Sequence, residues 1–202
     1  MILGYLVFGV FIILALVVSF WILIPTFLEK PKFSIAFSSG SIQVRNYSPM
    51  VAAQINTNGE RYDGLRAGFI PLARYIGAKD RDGTKISMTA PVMQQMDTQK
   101  RIWTVSFFMP SKYSIDQLPA ASDSRIRLNT LPPQQMATIS FNGVANKDLL
   151  TKKLLELKEW IENSEFSISG NSEPIFAYYN DPSTPGILRK NEIMLPVSKI
   201  VK

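Results

Sequence analysis

The chain has 202 residues, a formal net charge of +6, no cysteine and no histidine. This excludes disulfides, thiolate metal sites, cysteine nucleophiles, histidine-based triads and histidine-ligated metals. Its Lys and Arg are scattered, in clusters no longer than pairs such as Lys152-Lys153 and Arg189-Lys190, so no nucleic-acid partner is expected.

Met1 to Leu28 carries no charged residue. A helix of that length would reach roughly 40 Å at ~1.5 Å per residue, more than the ~30 Å hydrocarbon core. Lys30 and Lys32 end the run, and Trp21 and Phe27 stand near that end, where headgroups would lie. A cleaved leader would need a basic start and a small-residue cleavage site, and neither is visible. The reading is a retained transmembrane helix over residues 1–28, a lipid-bilayer partner and a single-pass membrane localisation. Lys30 and Lys32 favour the cytoplasmic side for the rest of the chain. Residues 29–40 read as a juxtamembrane linker with a strand at Phe33 to Phe37.

Ile42 to Tyr47 alternates as a strand, Ser48-Pro49 turns it, and Met50 to Ile55 returns as another. Asn56 or Asn58 can cap a helix from Gly59 to about Ile76. Leu65, Phe69, Leu72 and Ile76 form its apolar stripe, with Arg61, Arg66 and Arg74 off it. Pro71 lies inside this helix and predicts a kink or an interruption. Lys85 to Gln95 then reads as a strand, with Pro91 marking an edge, a strand end or a bulge.

Ile102 to Met109 is a strong strand closed by Pro110, followed by a polar excursion over Ser111 to Ser124. Ile126 to Leu131, Pro132-Pro133 and Gln134 to Phe141 repeat the strand–turn–strand form. A second helix spans about Lys147 to Asn163, with Leu150, Leu154, Leu157 and Ile161 as its stripe. Lys152–Glu156 and Lys158–Glu162 are its outer i, i+4 pairs. Strands at Ile175 to Tyr179 and Glu192 to Val197 close the chain, separated by a Pro-rich loop over Asn180 to Gly186. The two halves match as strand–turn–strand–helix–strand. Two such units would build an antiparallel sheet curled around a core, with two packed helices, unless the match is chance.

Lys85-Ile86-Ser87-Met88-Thr89-Ala90-Pro91-Val92 resembles the K-I-x-M-T-A-P-V signature of the SOUL haem-binding family. Leu72-Ala73-Arg74-Tyr75-Ile76-Gly77, Trp103-Thr104-Val105 with Phe108-Met109-Pro110, and Tyr179-Asn180-Asp181-Pro182 with Arg189-Lys190-Asn191-Glu192-Ile193 extend the resemblance. It covers nearly everything after the apolar segment and marks residues 41–202 as a SOUL-like domain. The fold it implies is α+β: a distorted antiparallel β-barrel of two pseudo-symmetric halves with two packed helices, similar to the gyrase-inhibitor-like effector-binding fold. The cofactor it implies is haem or another porphyrin. The resemblance places the groove at Arg66, Phe69, Ile70 and Ala73 on the first helix and at Tyr179, Leu188, Arg189 and Lys190 from the C-terminal segment. A porphyrin offers an apolar disc and two propionates, which suits apolar walls with a basic rim. With no histidine, an axial ligand would have to be Tyr, Met, Lys or water, and Tyr179 is the candidate by motif.

The leading expectation is therefore a membrane-anchored, non-enzymatic tetrapyrrole carrier or buffer. The alternatives are an effector-binding module for hydrophobic or cationic molecules, with Glu192 as its acidic group, and a scaffold without a ligand. No catalytic or metal-binding residue is assigned, because phosphate-loop, serine-hydrolase and S-x-x-K signatures are missing. Oligomeric state is not legible.

Overall fold

Strand β1 (Phe33–Ser39), β2 (Ile42–Tyr47), β3 (Met50–Thr57), helix α1 (Arg61–Ile76), β4 (Val92–Asp97) and β5 (Ile102–Phe108) make the first part of the chain. Then come β6 (Arg127–Leu131), β7 (Gln134–Asn142), helix α2 (Lys147–Glu162), β8 (Phe166–Ile168), β9 (Ile175–Tyr178) and β10 (Lys190–Lys199). The structure is a computed structural model, and it describes residues 27–200 together with Tyr5, Gly9 and Ile12. The expected anchor over residues 1–28 lies outside the described residues, apart from those three, Phe27 and Leu28. Among the described residues no helix is long and apolar enough to cross a membrane. The single-pass localisation and the bilayer partner are therefore corrected: nothing described supports either.

The fold is α+β, one antiparallel sheet carrying two helices. Its strand order is β1-β2-β7-β10-β9-β4-β5-β3-β6, with β8 added beside β10. The order runs from one edge to another, so the sheet, expected as a distorted barrel, is not closed. The two strand–turn–strand units are also not hairpins. β2 pairs with β7 and β3 pairs with β6, while Ser48-Pro49 and Pro132-Pro133 are corners between them. The register passes these corners unbroken: Tyr47 faces Gln134 and Met50 faces Leu131. Pro49, Pro132 and Pro133 have no N–H for a ladder, so the paired chains bend there rather than fold back on themselves. Each half lends its first strand to the other, with β4 and β9 paired at the join.

Alternation gives the sheet two unlike faces. On one face Ile42, Val44, Ala137, Ile139, Ile193 and Leu195 pack under α2, whose Leu150, Leu157 and Ile161 are buried as its spacing predicts. Full burial of each such aliphatic side chain stabilises the fold by about 1.5–3 kcal/mol. Asn146 caps α2 by accepting from the Leu149 N–H. The ion pair on α2 is Lys153–Glu156 at i, i+3, not the two pairs expected.

Helix α1 packs on the same face, over β3 and β5, with Leu72 and Ile76 of its expected stripe buried and Leu65 half-buried, but with Phe69 exposed and two glycines added to the contact. Its buried residues are Gly64, Gly68, Leu72, Tyr75 and Ile76. A Cβ at Gly64 would stand 2.9 Å from the Trp103 ring, and one at Gly68 only 2.6 Å from Val105. The two glycines let the helix axis come close to β5, which rolls Phe69 outward. The helix runs through Pro71 without interruption. It begins after Glu60, with neither Asn56 nor Asn58 capping it.

The signature segment is not one strand. Residues 85–88 are irregular, Thr89 makes an isolated bridge to Glu29, and β4 starts only at Val92, directly after Pro91. The Ala90–Pro91 bond is cis. In place of a ladder bond, the Thr89 hydroxyl donates to the Phe108 carbonyl at 2.7 Å. The expected linker 29–40 carries β1, which extends the sheet beyond β2 with a bulge at Ala36.

Candidate functional site

The outer surface of α1 is set by its glycine seat. With Gly64 and Gly68 against β5, Tyr62, Arg66 and Ile70 fall on the side away from the sheet and Phe69 on its flank, while Ala73 is half-buried against the core. Tyr62 is 60 % exposed, Ile70 49 % and Phe69 37 %, and Arg66 is exposed. Phe69 is also anchored, its ring edge-on to Phe107 with centroids 5.2 Å apart. A half-buried aromatic braced from behind is a firm platform for a flat apolar molecule.

Two loops meet the start of this helix. The Arg61 guanidinium donates to the Tyr178 hydroxyl at 2.8 Å and to the Ala145 carbonyl at 2.5 Å. Gln94, fully buried, donates to the Arg61 carbonyl and accepts from Tyr178. Burial pushes the Tyr178 phenol up, so it stays a neutral donor. This clasp brings Val144 and Ala145 to the end of α1. Gly186 packs so close to Val144 that a Cβ there would lie 2.7 Å from its methyl group. The short 3-10 turn Gly186–Leu188 therefore lies beside Val144, with Ile187 80 % exposed. The exposed apolar side chains that these elements carry are Ile187, Val144, Tyr62, Phe69 and Ile70. Of these, the sequence had marked only Phe69 and Ile70. Tyr62, one helical turn before Arg66, carried a readable signal, whereas Val144 and Ile187 became visible only through the contact of two loops.

The remaining expected residues divide. Leu188 is half-buried in the same turn. Arg189 spends its guanidinium on the Thr184 carbonyl at 2.8 Å and the Pro182 carbonyl at 2.5 Å, bracing the loop before β10. Tyr179 and Lys190 stand on the opposite face of the sheet. There Glu192, 1 % exposed, accepts from Arg45 at 3.0 and 3.1 Å, from the Tyr179 hydroxyl at 2.7 Å and from Ser140 at 2.8 Å. Lys190 reaches Glu192 at 3.5 Å and lies over the Tyr179 ring at 4.7 Å. Burial opposes the Glu192 charge, but the hydrogen bonds and charge of Arg45 outweigh it and hold the carboxyl below its ordinary value. Burial first, then the Glu192 charge, drive the Tyr179 phenol far up. A buried phenol whose proton is held by a carboxylate is not available as a phenolate ligand to iron.

This polar cluster is covered from outside. Phe33 stacks over the Arg45 guanidinium at 4.5 Å, and Lys30 lies 5.9 Å from the Tyr179 centroid. Tyr47, Met136, Ala177 and Met194 pack around it. Arg45, Tyr179, Ser140 and Lys190 partner the Glu192 carboxylate from within this chain, so the acidic group is already satisfied. Among the described residues no group of acidic side chains could hold a metal ion.

Comparison with known proteins gives the arrangement its context. The family model described as SOUL heme-binding protein matches residues 28–196. Human Heme-binding protein 2 is 27 % identical over 164 residues, which cover 77 % of this chain and 78 % of that protein. Mouse Heme-binding protein 2 is 26 % identical over 168 residues, 76 % of this chain and 80 % of that protein. Among solved structures, the EcmrR C-terminal domain aligns at TM-score 0.58 and 13 % identity over 83 % of this chain and 99 % of its own. A protein from Listeria innocua titled a hydrolase aligns at TM-score 0.57 and 13 % identity over 81 % of this chain and 94 % of its own. At those identities the two structures speak for the fold alone. The family match carries more, and the chain belongs to the SOUL heme-binding protein family.

Proposed function

We propose that the chain is a non-enzymatic carrier or buffer for haem or another tetrapyrrole, held on the outer face of α1. The observation that carries this reading is the set of exposed apolar side chains Tyr62, Phe69 and Ile70 on α1, with Arg66 exposed on the same helix and Val144 and Ile187 exposed on the loops that meet its start. Water-exposed aromatic and aliphatic side chains gathered on one helix and the loops at its start suit a flat apolar partner. Ala73 and Leu188, both half-buried, border these side chains. Arg66 supplies the propionate contact. Arg189 acts indirectly, by shaping the loop that carries Ile187 and Leu188. The binding unit is residues 41–202 together with β1, which belongs to the same sheet.

The residues fit a macrocycle held by its disc and its propionates: the chain has no histidine or cysteine to ligate iron, and Tyr179 is committed to Glu192. Haem, when bound, would supply its own redox and gas-binding chemistry. The protein's part is to bind, orient and shield one face of the ring. The effector-module alternative loses its acidic group, because Arg45 already occupies Glu192.

Titration of the full chain with haem and with metal-free protoporphyrin tests this reading. Both should bind saturably in the micromolar range and compete. Arg66→Glu and Phe69→Ser should each weaken both ligands roughly tenfold, about 1.4 kcal/mol, while Tyr179→Phe should not weaken haem selectively. Absence of saturable binding, or unchanged affinity in Arg66→Glu and Phe69→Ser, would overturn it.

A further inference from the structure

A second cleft, of about 340 Å³, opens where the segment before β1, the β2–β3 corner, the loop after β5 and the edge strand β6 come together. It shares no lining residue with the α1 groove. Its floor and walls are apolar: Pro49, Met50, Phe108, Met109, Tyr113 and Ile115. Phe108 and Met109 are buried from the far side, so the floor belongs to the core and is not a loose loop. The volume sits at the lower end of the ~300–1,000 Å³ range of small-molecule pockets, which suits a slim molecule better than a macrocycle.

The charged side chains lining it are Glu29, Lys30 and Lys32. They are not equivalent. The Glu29 carboxylate accepts from the Ser111 backbone N–H at 2.7 Å, and this bond, with nearby Lys32 and Lys112, keeps its carboxyl below the ordinary value. The Glu29 backbone is also fixed, its carbonyl accepting from the Ala90 N–H at 2.9 Å. Glu29 is therefore a built-in latch whose charge is already partnered by the protein. Lys30 and Lys32 have no carboxylate within ion-pair distance among the described residues. A largely apolar slot with a fixed wall and two ammonium groups that lack a carboxylate partner, Lys30 lying near the Tyr179 ring, is complementary to one kind of ligand. We infer that this cleft binds a single-chain amphiphile with an anionic head, its chain against Met50, Phe108 and Tyr113 and its head at Lys30 and Lys32. A carboxylate and a phosphate head share this chemistry.

The probes are decanoate and decyl phosphate, with decanol and decyltrimethylammonium as neutral and cationic controls, each titrated into the full chain by calorimetry. One of the anionic probes should bind at one equivalent. The neutral probe should bind at least tenfold more weakly, and the cationic probe should not saturate. Whichever anion binds more tightly assigns the head group and supports the site. Lys30→Glu with Lys32→Glu should weaken the anionic probe at least tenfold. Thr130→Trp, at an exposed position on the rim, should block it without disturbing protoporphyrin binding. Three outcomes would overturn the site: equal binding of the anionic and cationic probes, unchanged affinity in both variants, or stoichiometric displacement of decanoate by protoporphyrin. Circular dichroism of each variant confirms that it is folded, so a loss of binding reads on the cleft.

Discussion

The helix-bearing face of the sheet is mainly apolar, with the Gln94–Tyr178–Arg61 hydrogen bonds at the start of α1, and is sealed by two helices, whereas the opposite face is built around a buried ion pair and covered by a short segment, Leu28 to Phe33. Their physics differs accordingly. On the helix face the favourable term is apolar burial, which is indifferent to pH and needs shape above all. On the other face the favourable term is a fully partnered charge, which breaks even only while every partner is present. One face thus tolerates exposed aromatic side chains on its outer helix, and on the other the buried charges partner one another, with the Thr138 hydroxyl left without a partner.

The largest effect should come from breaking the charged face. Arg45→Met leaves the Glu192 carboxylate buried without its main partner, and a loss of about 3–5 kcal/mol is expected in chemical denaturation at neutral pH. The loss should depend on pH. In the wild type the Glu192 carboxyl is held below its ordinary value, so its contribution is present at pH above about 4.3 and disappears as pH falls through the folded-state value. In Arg45→Met the carboxyl is instead pushed up by burial and takes a proton readily, so the gap between variant and wild type should narrow on acidification. A gap that is constant from pH 7 to pH 3 would show that Arg45 acts only through packing.

Trp103→Ala breaks the apolar face. Trp103 is buried, donates to the Gly59 carbonyl at 3.1 Å and forms the seat of Gly64. A cost of about 3–5 kcal/mol is expected, and it should not change with pH over the same range, in contrast to Arg45→Met. The smallest of the three is Gly68→Ala. Its new methyl would press on Val105 and lift α1, for about 1–3 kcal/mol measured as a shift in the denaturation midpoint. A stabilising outcome, as expected for Gly to Ala on a free helix face, would show that α1 does not rest on its glycines.

Much of this fold could be read from the chain. Strands β5, β7 and β10 and helix α2 announce themselves because their apolar spacing coincides with what they bury. Helix α1 does not, since hydrophobic periodicity gives no weight to glycine, and Gly64 and Gly68 are its contact line. The stripe of Leu65, Phe69, Leu72 and Ile76 therefore overlaps the true one at Leu72 and Ile76 but is offset toward Phe69, which is exposed. The strand expected across Pro91 failed for a different reason: alternation persists where no ladder forms. The two corners were read as hairpins because Ser48-Pro49 and Pro132-Pro133 punctuate the chain, yet punctuation does not say which strand lies alongside. In the candidate site, the residues on α1 were legible through the motif. The separate commitments of Tyr179 and Arg189 were not, because each depends on a partner from elsewhere in the fold or loop.

The exchange of first strands between halves has a consequence for the molecule as a unit. β2 completes the sheet of the second half and β6 that of the first, in a register that runs through both corners without a slip. Neither half can be excised: a fragment ending after β5 would hold β2 with no β7 to receive it and β3 with one edge bare. Ile42 must find Ile139, and Gln54 must find Arg127, before either helix has a complete surface to rest on. Such remote pairings make the nucleus costly in loop closure and the folding slow. The same interlock makes the two halves open together, so a ligand that ties α1 to the loop before β10 would steady the whole sheet.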